Sequence, residues 1–232
     1  MSHALESGLN APSAGAVMKR VGGVLLAVGL ADVGVTAWCL VRGLDYASGF
    51  GFFAVIAGLL LRRGSLRTAA RVHWCAVFLL AAFAALLLAW PLVQPLDLSF
   101  AQLRLDSLHS IAALLVLACA MALLYWVARQ LASEPMQRAL SGVGQCLRDM
   151  RVPAVLGAGG VALLVALLAW WHGGETAQQA VEMAERQLGT SYRFHVSDID
   201  TWPHGDGKSI VATVMAWNAA EIKELVVRWD EQ

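Results

Sequence analysis

Residues 20–43, RVGGVLLAVGLADVGVTAWCLVRG, form an apolar run long enough to cross a bilayer, and an acid, Asp32, lies well inside it. A carboxyl group held away from water is the chemistry of a proton or cation site. It is also costly, on the order of 3 kcal/mol near the bilayer centre even on the lenient insertion scale, so the helix must turn it from lipid. Steps of three and four residues place Gly22, Leu25, Gly29, Asp32, Thr36 and Cys39 on one helical face, which is mostly small or polar. Small residues let helices approach closely, and residues 46–61 offer a matching set in Gly51, Ala54 and Gly58. Gly22, Gly29, Gly51 and Gly58 are therefore the expected helix-packing positions.

His109 is the titratable group whose expected depth comes nearest that of Asp32, so Asp32, Thr36 and His109 make up the candidate intramembrane polar site. Transport usually needs more than one deep ionisable group. No Lys, Arg, Glu or second Asp lies deep in any other apolar run, which favours a structural Asp joining helices over a relay residue. A membrane haem needs axial ligands at matching depth. His73 and His109 fall at opposite ends of their runs, so no cofactor is expected.

A second polar group comes near the C-terminus, where His195, Asp198, Asp200, His204 and Asp206 surround a turn, PHGDGK. A solvated turn explains them better than a divalent-metal site, because Gly205 and Gly207 are ordinary turn chemistry. No GxSxG, HExxH or phosphate-binding loop occurs, and GAGG at residues 157–160 sits inside an apolar run where helix packing accounts for it. The chain is read as non-enzymatic, with no catalytic, cofactor or metal residues. Cys39, Cys75, Cys119 and Cys146 show no metal-binding spacing and are expected as free thiols.

The elements that must position these residues are membrane helices. The 232 residues are 58% hydrophobic and 15% charged, with a mean hydropathy of +0.61, too apolar for an ordinary soluble domain. About 20 apolar residues span the hydrocarbon core as helix, and five stretches come near this: residues 20–41, 46–61, 70–91, 108–128 and 153–172. The fold class expected is a mainly α membrane protein: a four-helix bundle over 19–128, a cytoplasmic amphipathic helix over 129–152, a fifth span over 153–172 and a periplasmic α+β domain over 173–232. Residues 1–18 form a cytoplasmic tail. Cleavage after Val35-Thr36-Ala37 is disfavoured by the length of the first run.

Basic residues orient the spans. Lys19, Arg20, Arg62, Arg63, Arg67, Arg71, Arg129, Arg138, Arg148 and Arg151 fall on one side, against Arg42 and Arg104 on the other before residue 172. The positive-inside rule then predicts a multi-pass inner-membrane protein with a cytoplasmic N-terminus and a periplasmic C-terminus. Trp38, Trp90, Trp170 and Trp171 mark outer ends, and Trp74, Tyr125 and Trp126 mark inner ends.

Between spans, Ser99-x-x-Gln102 suggests a capping box opening a short interfacial helix, with Phe100, Leu103 and Leu105 at the lipid boundary. In SEPMQRALSGVGQCLRDMR, Met136, Leu140, Val143, Leu147 and Met150 recur at helical spacing. That stripe either dips into the leaflet or packs against the helix bundle. The tail predicts one helix, with Ala177, Ala180, Val181, Ala184 and Leu188 on a face and Gly189 as its stop, then strands over 192–199, 209–218 and 221–229. With ten acids against five bases over residues 174–232, nucleic acid and anionic lipid are poor targets for it.

The expected partners are the lipid bilayer and a protein met by the periplasmic domain, for which the edge of a three-stranded meander offers strand addition. The function predicted is that of an accessory, assembly or interaction protein. The alternatives are an ion- or proton-coupled transporter subunit using Asp32, and a membrane immunity protein against a membrane-active toxin.

Overall fold

The computed structural model describes residues 13–43, 50–142, 149–172, 174–204 and 207–231, without the side chains of residues 109, 171, 172, 203, 204 and 231. The elements run α1 (Ala14–Arg42), α2 (Phe50–Arg62), α3 (Leu66–Val93), α4 (Leu96–Leu105), α5 (Ser107–Leu131), α6 (Glu134–Gly142), α7 (Arg151–His172), α8 (Glu175–Leu188), β1 (Arg193–His204), β2 (Gly207–Trp217) and β3 (Ile222–Glu231). The protein is mostly helical, and four helices, α1, α3, α5 and α7, are long and apolar enough to cross a membrane. The expected second span is shorter than predicted among the described residues. At 13 residues, α2 is about 20 Å long, against a hydrocarbon core of about 30 Å.

The chain divides into two compact units, Met1–Ala81 with Met121–Gly157 and Ala82–Ala120 with Ala158–Gln232. In the first, the side chain of Ser13 caps α1 by accepting from the Ala16 amide, and Gly43 ends it at φ 67°, a left-handed conformation suited to glycine. The buried side chains come from α1 (Val21, Leu25), α2 (Ala54, Leu61), α3 (Ala69, Val72, Ala76), the end of α5 (Leu124, Val127, Leu131) and α6 (Met136, Leu140). Met136 and Leu140 are 0% and 2% exposed, so packing takes the apolar stripe of α6. The predicted continuation through Val143 and Leu147 lies outside the described residues.

In the second unit, α4 follows Pro95, which has no side-chain cap to offer. The capping box predicted at Ser99 is not formed, because Ser99 lies one turn inside α4 and its hydroxyl accepts from the Trp90 indole N–H at 3.3 Å. Gln102 is used differently as well, its Oε1 accepting from Gln94 Nε2 at 2.8 Å. Leu98 is buried, whereas Phe100, Leu103 and Leu105 are exposed.

The last three strands form an antiparallel meander in the order β1-β2-β3. Ile210, Ala212 and Val214 of β2, Val196 and Ile199 of β1 and Val227 of β3 pack against Ala177, Ala180 and Ala184 of α8. Alanine at those three positions allows the helix to lie close on the sheet. The Asn218 side chain makes the β2–β3 turn by accepting from the Ala220 and Glu221 amides at 2.8 and 2.9 Å. β1 runs on beyond the predicted residue 199 to His204, through Pro203, which an edge strand tolerates.

Candidate functional site

In the first unit, Gly22, Gly29 and Asp32 of the predicted face of α1 meet α2. A Cβ built on Gly58 would stand 2.7 Å from the Gly22 carbonyl oxygen and 2.8 Å from the Leu26 amide nitrogen. One on Gly29 would stand 2.7 Å from the Val55 amide nitrogen and 2.8 Å from the Gly51 carbonyl oxygen. Only glycine fits such contacts without backbone movement. Gly22 meets Gly58 and Arg62 while Gly29 meets Gly51 and Val55, so the two helices run antiparallel.

Asp32 lies at the same seam. Its Oδ2 is 2.6 Å from where a Gly51 Cβ would stand, so the carboxylate covers the space that glycine leaves open. Thr36 donates its hydroxyl hydrogen to the Asp32 backbone carbonyl at 2.9 Å, which ties it to the helix backbone. The predicted pairing of Asp32 with His109 falls outside the described side chains. His73, 4% exposed, instead lies in the first unit with its Nε2 3.0 Å from Met150 Sδ. Its position in an apolar run gave no sign of that partner.

In the second unit, a cavity of about 470 Å³ is lined by Leu92, Leu98, Gln102 and Val165 of the helices and by His195 and Met215 of the sheet. The sheet face opposite α8 therefore looks onto helix residues at β1 and β2. Arg193 and Asp97 form an ion pair that ties the start of β1 to α4. Sequence spacing gave no signal for it, since 96 residues separate the partners.

That sheet face is set by a β-bulge. Register shifts between Val196 and Asp198, leaving Ser197 without an opposite residue. Before the bulge Val196 pairs with Val214 on the α8 side, and after it Ile199 pairs with Ala212 on the same side. His195, Asp198 and Asp200 consequently share the other face, opposite Met215, Thr213 and Val211. Strict alternation puts His195 on the opposite face from the two acids, so the bulge alone aligns them. Among the described residues, no three His, Cys, Asp or Glu side chains come close enough to hold a metal ion. His204 and Asp206, the remaining residues of the predicted cluster, lie outside the described side chains.

At one end of the sheet, Tyr192 donates its hydroxyl hydrogen to Glu221, and Lys223 donates to Glu221 at 2.6 Å and to the Tyr192 oxygen at 3.1 Å. Hydrogen bonds from Lys223 and then Tyr192 hold the Glu221 carboxyl below its usual range, and the same contacts push Lys223 up. Cys39, Cys75 and Cys119 are free thiols, and Cys146 lies outside the described residues.

No family model, curated protein or solved structure matches the chain.

Proposed function

We propose that this chain is a multi-pass inner-membrane interaction protein, an accessory or assembly subunit whose C-terminal α+β unit binds a protein partner outside the cytoplasm. The observation that carries this reading is the outer edge of β3, which no other strand pairs among the described residues. α8 covers one face of the sheet, β2 takes one side of β3, and the outward residues Glu224, Val226 and Arg228 are exposed, Val226 by 61%. An edge strand of this kind is a template for strand addition.

Orientation rests on the arginines and on the α1–α2 seam. Because α2 runs back along α1, Arg62 returns to the level of Gly22. This supports placing the start of α3 on the same side as the start of α1. Three long helices then follow, and this odd number of candidate crossings supports the reading of a periplasmic C-terminus. Basic clusters at Lys19–Arg20, Arg62–Arg71 and Arg129–Arg151 support the cytoplasm as the N-terminal side.

The packing of Asp32 over Gly51 supports a structural carboxylate rather than a transport residue. Two variants test the whole reading in native membranes. Removing residues 174–232 abolishes co-purification of the partner, and Asp32→Asn leaves it intact with no change in proton flux. Loss of proton-coupled transport in Asp32→Asn, with the protein still folded, sinks the interaction reading in favour of a carrier.

A further inference from the structure

We propose that the β3 edge takes a second copy of this chain, joining two meanders into one six-stranded sheet about a two-fold axis; this rests on reading that edge as a docking element.

β1 and β3 are the two edges of the sheet, and they differ. β1 carries the bulge at Ser197 and Pro203, both devices that discourage strand addition. β3 has neither, and its register with β2 is unbroken from Lys208 opposite Glu231 to Trp217 opposite Ile222.

Self-pairing has a narrow set of solutions. A two-fold axis perpendicular to the sheet keeps each face on its own side, so residues facing each other across the axis must come from the same face of β3. Only registers pairing even with even and odd with odd numbers satisfy this. Centring on Val226 puts Val226 opposite its own copy, Glu224 opposite the second copy's Arg228, and Arg228 opposite its Glu224. The exposed face then holds one apolar contact flanked by two opposite-charge pairs. Moving the centre to Leu225 sets Glu224 against Val226 and loses both charge pairs, moving it to Val227 sets Glu224 against Asp230, and moving it to Glu224 or Arg228 sets like charges together.

On the other face the same register places Leu225 opposite the copy's Val227 and Lys223 opposite its Trp229. Leu225 and Trp229 are half-buried at the margin of the core, so self-pairing continues that core across the axis. Arg228 donates from Nε to Ser209 at 3.3 Å, which leaves both terminal guanidinium nitrogens for a carboxylate. The axis also suits two copies in one membrane. His195 and Met215 turn the face opposite α8 towards helix residues, and the axis keeps that face on the same side in both copies.

The test uses full-length Val226→Cys protein in native membranes, treated with a short bis-maleimide, with the wild type and its native thiols treated alongside. The expected product has twice the chain mass and is absent from wild type, and Glu224→Cys co-expressed with Arg228→Cys gives the same product. Adding Glu224→Arg or Arg228→Glu alone to Val226→Cys lowers the yield at least tenfold, and adding both restores it. Failure of the double exchange to restore the product, in protein of unchanged melting temperature, overturns the proposed register. A Val226→Cys product containing a different polypeptide overturns the second copy as occupant but keeps the edge as a docking element. No product from residues 224, 226 or 228 in folded protein overturns both.

Discussion

One carboxylate oxygen of Asp32 lies 2.6 Å from the point where a side chain on Gly51 would begin. The acid and the glycine are thus two halves of one packing arrangement, in which a helix face too small to fill itself receives a polar group that lipid would reject.

Substitutions along the α1–α2 seam should rank by what the new methyl group meets. Gly58→Ala runs into the Gly22 carbonyl and the Leu26 amide, both backbone, whereas Gly51→Ala meets the movable Asp32 side chain first. We expect Gly58→Ala to cost about 1–3 kcal/mol and Gly51→Ala less. Gly34→Ala, with nothing within 4 Å among the described residues, should be neutral or slightly stabilising. Unfolding in detergent followed by circular dichroism measures the order.

The burial of α6 predicts a cost that a leaflet-bound helix would not show. Met136→Ala removes a side chain that is 0% exposed and should destabilise the first unit by about 2–5 kcal/mol. Arg138→Ala, on the exposed side and paired with Glu134, should change stability by less than about 0.5 kcal/mol. Equal, small effects of both in detergent-solubilised protein contradict the packed arrangement.

Within the C-terminal unit, Ala180 is fully buried against the sheet. Ala180→Leu should overpack that contact at a cost of about 1–3 kcal/mol, and Ile210→Ala should lose about 2–5 kcal/mol by leaving a cavity. Hydrogen exchange of β2 amides in the intact protein reports both.

The Tyr192–Glu221–Lys223 group gives a pH dependence of known sign. Glu221 is held low, so its contribution is complete above the ordinary carboxylate range and is lost as pH falls through its lowered value. Lys223 is pushed up, so its contribution is complete below the ordinary lysine range and is lost as pH rises through its raised value. Stability of the sheet should therefore be flat at neutral pH and fall at both extremes. Both groups face solvent, so the effect is small and salt-sensitive. Tyr192→Phe should lower the melting temperature by no more than about 5 °C and weaken the acid-side dependence. Thermal melts across pH at low and high salt test this.

The sequence determined the features that depend on local pattern. Length and continuity of apolar residues marked the four long helices, and the three-and-four spacing around Asp32 marked the face that carries Gly22 and Gly29. Alternation in residues 209–218 marked β2, and Gly189 marked the end of α8. These are legible because helix and strand periods write burial into nearest-neighbour order.

Tertiary structure decided what depends on partners distant in the chain. Ser99 and Gln102 had the spacing of a capping box, yet Trp90 and Gln94 took their polar atoms. The α6 stripe fitted lipid and protein equally, and only the surrounding core took Met136 and Leu140. One unpaired residue, Ser197, turned His195 to the same face as Asp198 and Asp200, a step no alternation rule contains because a bulge is set by the strand opposite. Asp32 belongs to both kinds. Its face was fixed by its own helix, and the glycine it covers was chosen by the antiparallel return of α2, since close approach depends on the shape of both surfaces at once.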